Sequence, residues 1–130
     1  YLEENEISFE WLDDGMLRTE SVRPAVRKHP VTGEMVWYNQ SNLWHVSNFE
    51  EQRRKTLLQI CGEEKLPTHC YFGDGSPMSD EDLDTVRNVM WDAAVIFPWH
   101  AGDLLVVDNY MAAHGRMAFD GPRKVLVAMG

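Results

Sequence analysis

Long apolar runs are missing from this 130-residue chain. The two best, Ala93 to Phe97 and Leu104 to Val107, are short and are bounded by Pro98, His100 and Asp103, well below the roughly 20 residues that a bilayer-spanning helix needs. Positive charge is also scarce. Twelve Lys and Arg stand against 21 Asp and Glu, a formal net charge of −9, and the one basic run, Arg53-Arg54-Lys55, lies in a helical pattern beside Glu50 and Glu51. That balance argues against nucleic acid or an anionic membrane surface as a partner. Cysteine is nearly absent: Cys61 and Cys70 have neither zinc-type spacing nor the density of a disulfide scaffold. With no signal peptide among the residues given, a reduced, cytoplasmic setting is the expectation. There is no Gly-x-Ser-x-Gly elbow, no Cys/His dyad spacing and no Walker lysine after the Gly73-Asp74-Gly75 loop, so nucleophilic hydrolysis and phosphate cradling have no local support.

What the chain does have is hydrophobic content of 44% with five tryptophans, enough for one core and little more. It begins at Tyr1 and its strongest chemical signal lies against the C-terminal end. The expectation is therefore a single unit over residues 1–130 that forms the C-terminal portion of one domain, with an N-terminal portion absent.

Alternating Ile7, Phe9 and Trp11 against Ser8 and Glu10 predict a strand over Glu6–Leu12. A second β-like run follows over Leu17–Val26, with Gly15 between them and Pro24 interrupting the second. His29-Pro30-Val31-Thr32-Gly33-Glu34 is a turn, and Met35-Val36-Trp37-Tyr38 a compact strand after it. Phe49, Leu57, Leu58 and Cys61 at helical spacing predict a helix that Asn48 caps and Gly62 ends. Leu66–Tyr71 is a candidate return to the sheet, and Phe72-Gly73-Asp74-Gly75 is a turn. Ser79 with Asp82 three residues on is a capping box, and Leu83, Val86, Met90 and Ala93 form the apolar stripe of a second helix. Ala94–Phe97, Leu104–Asp108 and the segment opening at Arg123 read as further strands. Short strands with two helices outside favour a mainly β architecture, a barrel or jelly roll with flanking helices.

The chemistry concentrates in the last thirty residues. His114 follows a strand, and a neutral imidazole is the commonest protein ligand for mid-series divalent metals; open-site iron enzymes need two histidines and one carboxylate, so one histidine alone cannot make such a site. A satisfied structural histidine is the plain alternative. Arg123, beyond the Gly121-Pro122 reversal, could offer a two-pronged donor to a carboxylate beside the metal; its plain alternative is a pair with Asp108 or Asp120. Asp108 and Asn109 lie just before the histidine loop and are read as holding its backbone. His29, before Pro30, is expected in solvent. His45, His69 and His100 are read as isolated from one another, and His100 as a turn residue. Trp37, Tyr38 and Asn39, followed by Gln40 and Asn42, form an aromatic cluster ending in polar residues, either a core strand leading to a loop or a substrate wall.

Trp99-x-x-Gly102-Asp103-Leu104-Leu105-x-x-Asp108-Asn109, then His114-Gly115-Arg116-x-x-Phe119-x-Gly121-x-Arg123, with His29-Pro30-x-Thr32-Gly33-Glu34, Val36-Trp37-Tyr38-Asn39 and Gly73-Asp74-Gly75 upstream, resembles the C-terminal part of the TauD/TfdA-type, clavaminate-synthase-like dioxygenases, closest to a SyrP-like branch. The resemblance runs from about Glu6 to the end. It implies a double-stranded β-helix, and Fe(II) and 2-oxoglutarate as cofactor and cosubstrate, with O2. It further implies His114 as the distal iron-binding histidine, Arg123 as the anchor for the far carboxylate of 2-oxoglutarate, Arg116 as a helper at the cosubstrate or substrate end, and Asn39, with Trp37 beside it, on the substrate side. The family's other iron ligands come from a His-x-Asp/Glu motif. No histidine in the chain has a carboxylate two residues on: His29 leads to Val31, His45 to Ser47, His69 to Tyr71, His100 to Gly102 and His114 to Arg116.

The function implied is hydroxylation of an amino acid or other small carboxylate, free or carrier-tethered, coupled to oxidative decarboxylation of 2-oxoglutarate. The missing N-terminal half, as a separate chain, is a candidate partner. A related halogenase and a non-catalytic β-domain for binding or assembly are the alternatives, and a His-x-Asp/Glu, a His-x-Gly/Ala or no histidine upstream would separate the three.

Overall fold

Two β-hairpins form where the apolar alternation meets a residue free to turn. In a computed structural model that describes residues 1–129, β1 (Ser8–Trp11) pairs antiparallel with β2 (Leu17–Glu20), Ser8 opposite Glu20 and Trp11 opposite Leu17. The connection closes through the Leu12 amide on the Met16 carbonyl at 2.8 Å, with Gly15 at φ +81° where a side chain would be strained. β3 (Val26–Lys28) pairs antiparallel with β4 (Met35–Trp37) around a turn at Gly33, φ +77°. The run foreseen over Leu17–Val26 is thus broken around Pro24 and shared between two hairpins, as a residue without an N–H requires.

Helices follow. α1 (Ser41–Trp44) is one turn, α2 spans Glu51–Cys61, and α3 spans Asp80–Asp92. The capping box at α3 holds: Ser79 Oγ accepts from the Asp82 amide at 3.0 Å and donates to the Asp82 carboxylate at 2.7 Å. At α2 the expected cap is wrong. Glu50 occupies the position without a side-chain bond, while Asn48 sits in a 3-10 turn and its Nδ2 donates to the Leu43 carbonyl at 3.1 Å. Gly62 ends α2 as expected, at φ +68°.

The core is small and lies where α3 meets the Ser41–Asn48 segment. Leu83 is 1% exposed, Val46 3% and Val36 9%. Arg87 ties the two parts together, its Nε donating to the Asn42 carbonyl at 2.9 Å and its Nη2 to Ser47 Oγ at 2.8 Å. Leu66–Tyr71 does not join a sheet; Tyr71 makes only an isolated bridge to Pro77 across the Gly73–Gly75 turn.

The strands expected over Ala94–Phe97, Leu104–Asp108 and from Arg123 onward do not form a ladder, and the described residues contain two two-stranded sheets and no barrel or jelly roll. Val95, Leu104, Val106 and Leu126 are more than four-fifths exposed. The physical reason is that a strand is half a structure: its amides and carbonyls need a neighbouring edge, and the described residues provide none to these segments. No helix among them is long and apolar enough to cross a membrane.

Candidate functional site

The C-terminal segment is fastened to the rest of the chain at Asp108. His29 Nε2 lies 3.0 Å from Asp108 Oδ2. Contrary to the expectation of a solvated turn residue, the His29 side chain is 5% exposed. The hairpin turn buries it for a local reason: Nδ1 accepts the amides of Val31 and Thr32 at 3.2 and 3.0 Å, so the imidazole caps its own loop. Tyr110, two residues beyond Asp108, stacks on Tyr38 at 5.2 Å between centroids and meets the His29 ring edge-on at 5.6 Å. The Arg27 guanidinium covers Tyr38 at 5.0 Å from its centroid.

Asp108 also shapes its own turn. Its Oδ1 accepts the Tyr110 amide at 3.0 Å, and its carbonyl accepts the amides of Met111 and Ala112 at 3.1 and 3.0 Å. The Tyr110 amide first, and then the His29 imidazole, hold its carboxyl below the usual range.

Arg116 and Arg123 come together on Phe119, their guanidinium carbons 4.8 and 5.0 Å from the ring centroid. The alternative pairing of Arg123 with Asp108 is not what is found, because Asp108 faces His29. His114 and Asn109 are solvent-exposed. Among the described residues no group of three His, Cys, Asp or Glu side chains is arranged to hold a metal ion. His114 therefore belongs to no such group among the described residues.

The residues considered for a substrate wall are used in folding. Trp37 Nε1 donates to the Asn39 carbonyl at 2.6 Å, and Asn39 Oδ1 accepts the Ser41 amide at 2.7 Å, which starts α1. Gln40 Oε1 accepts from Trp44 Nε1 at 3.2 Å, and Asn42 is 4% exposed beneath α3. Trp37 and Tyr38 are themselves exposed, and Asn39 is half-buried.

A second cluster was not visible in the sequence. His45 and His69, read as isolated, have ring centroids 4.4 Å apart and line a cavity of about 130 Å³ with Arg54, Glu63, Met78 and Asp80. His45 Nδ1 takes the Ser47 amide at 3.1 Å and Ser47 Oγ at 2.8 Å. Burial first, and then the neighbouring His69, lower the His45 pKa from 6.5 to about 4. Burial also lowers that of His69, against the opposing Glu63 carboxylate. Arg54 binds Asp80 through both terminal nitrogens and, by that bond first, keeps its carboxyl below the usual range. Sequence spacing could not have paired these rings, since α2 and the loop after it separate them.

Compared with known proteins, the chain matches over residues 4–129 the family described as taurine catabolism dioxygenase TauD, TfdA family. It is 41% identical over 129 residues to the dapdiamide synthesis protein DdaC of Enterobacter agglomerans, covering 99% of this chain and 39% of that protein. It is 27% identical over 124 residues to a clavaminate synthase-like protein of Arabidopsis thaliana, covering 95% of this chain and 34% of the relative. The chain thus spans less than two fifths of the length of these relatives. No solved structure matches it.

Proposed function

The chain belongs to the TauD/TfdA dioxygenase family, and on that premise we propose that it forms part of an Fe(II)- and 2-oxoglutarate-dependent oxygenase acting on an amino acid or other small carboxylate, free or carrier-tethered. In this reading His114 is the distal iron-binding histidine, Arg123 receives the far carboxylate of 2-oxoglutarate, and Arg116 assists it. The described residues do not fit a complete iron site: the facial arrangement needs two histidines and a carboxylate, and this chain offers one exposed histidine with no His-x-Asp/Glu motif. The remaining ligands come from further polypeptide, on the same chain or a separate one. That polypeptide also supplies the strand edges that complete a jelly roll with the exposed segments around Val95, Leu104 and Leu126.

The observation that carries this reading is the meeting of Arg116 and Arg123 on Phe119. A guanidinium lying on an aromatic ring is held by its face, which leaves its in-plane N–H groups free. Those N–H groups are the two-pronged donor that a carboxylate takes. The Phe119 ring therefore gathers two cations without neutralising either.

The test is an anaerobic titration of the full-length protein with Fe(II) and 2-oxoglutarate, followed by the visible charge-transfer band of the chelate. His114→Ala is expected to abolish the band. Arg123→Ala is expected to weaken 2-oxoglutarate binding about 10- to 100-fold, the worth of a hydrogen-bonded charge pair. Unchanged cosubstrate affinity in Arg123→Ala removes the anchor role.

A further inference from the structure

We propose that His29 is a positioning residue whose Nε2–H, donated to the Asp108 carboxylate, locks the turn that carries His114 against the β3–β4 hairpin. The inference rests on the role given above to His114, and its physical basis is separate. Nδ1 of His29 already accepts two backbone amides, from Val31 and Thr32. A nitrogen that accepts two N–H groups carries no proton, so the ring's hydrogen is fixed on Nε2, the atom 3.0 Å from Asp108 Oδ2. The hairpin loop thus selects the tautomer, and the tautomer selects the partner.

The other oxygen of that carboxylate is equally committed. Oδ1 accepts the Tyr110 amide at 3.0 Å. One carboxylate therefore joins an imidazole from one end of the chain to the backbone that leads, through Met111 and Ala112, to His114. The His29–Asp108 bond links positions 79 residues apart. Tyr110 adds area to the same junction by stacking on Tyr38. Nearly everything else in the segment from Ala94 onward is exposed, so the approach of His114 is governed at this junction more than by packing around His114 itself.

Two replacements at position 29 divide its two jobs. Asn carries an acceptor where Nδ1 stands and can cap the Val31–Thr32 loop without reaching Asp108; Gln carries an N–H donor where Nε2 stands and can reach Asp108. Hydrogen exchange of the full chain, resolved by mass spectrometry over peptides spanning 109–116, reads the lock directly and without iron. His29→Asn is expected to speed exchange there about tenfold, the effect of losing one charge-assisted hydrogen bond on a local opening, and Asp108→Ala by more, because it also frees the Tyr110 amide. His29→Gln is expected to restore protection. Asp108→Asn is expected to behave like His29→Asn, because its one amide oxygen can keep the Tyr110 amide but not His29 as well. Asp108→Ala removes the acceptor from the exposed side of the junction, since Asp108 is 52% exposed.

Equal exchange at 109–116 in wild type and His29→Asn overturns the proposal. So does loss of protection in His29→Gln equal to that in His29→Asn, which would reduce His29 to a generic core residue. Failure of the full-length wild-type protein to give the charge-transfer band would instead count against the oxygenase reading, and would leave the exchange results standing.

Discussion

Acidification from pH 7 to pH 4 is expected to unfold the helical half of this chain through His45 and His69, not through its carboxylates. In the folded chain both rings are held neutral, His45 with a pKa lowered from 6.5 to about 4 by burial and by the adjacent His69. The unfolded chain binds a proton on each ring as pH falls through 6.5, while the folded chain refuses it at His45 until about 4 and at His69 until some way below 6.5. Between those limits the unfolded state holds more protons, so stability rises with pH and is complete above the unfolded value. For His45 the interval from 6.5 to about 4 corresponds to an upper bound of about 3 kcal/mol, and His69 contributes in the same direction. Against a total of about 5–15 kcal/mol for an ordinary domain, that is a large share. Asp80 acts in a lower window. Its carboxyl is kept below the usual range chiefly by Arg54, so its contribution is present above the ordinary carboxylate pKa and is lost only as pH falls through the folded value.

The assay is urea unfolding at half-unit steps from pH 7.5 to 4, followed by far-UV circular dichroism, with His45→Asn alongside. Asparagine keeps an acceptor for the Ser47 amide, which His45 Nδ1 takes at 3.1 Å, and removes the titration. The midpoint in wild type is expected to fall steadily below pH 6.5, and in His45→Asn to fall less. A flat wild-type profile from pH 6.5 to 4.5, or equal slopes in the two proteins, would refute the claim that buried neutral imidazoles hold this region together.

Leu83→Ala should cost about 2–5 kcal/mol, since Leu83 is 1% exposed at the contact of α3 with α1; a chemical-denaturation loss under 1 kcal/mol would mean that the core lies elsewhere. Ser79→Ala should cost about 1 kcal/mol by orphaning the Asp82 amide, measurable as a lower midpoint with an unchanged slope.

The segments read correctly from sequence are those whose determinants are local. The capping of α3 by Ser79, the stop at Gly62 and the turns at Gly15 and Gly33 each depend on a side chain or a backbone conformation within a few residues. The α2 start was misplaced because Asn48 competes for a different partner, the Leu43 carbonyl, a choice spacing cannot reveal. The strands expected beyond Ala94 failed for another reason: alternation and apolar content describe a segment able to join a sheet, and whether it joins depends on an edge elsewhere.

By itself the sequence determined the family, through the block from Trp99 to Arg123, together with the capped helix and the hairpin turns, because motifs and caps are written in consecutive residues. Only the tertiary structure decided which histidines are buried and what they meet. His29 against Asp108 and His45 against His69 are pairs of residues distant along the chain, and neither member carries a local mark of its partner. A side chain's hydrogen-bond geometry and its desolvation are set by whatever the folded backbone brings alongside it, and that neighbourhood exists only after the chain has closed on itself.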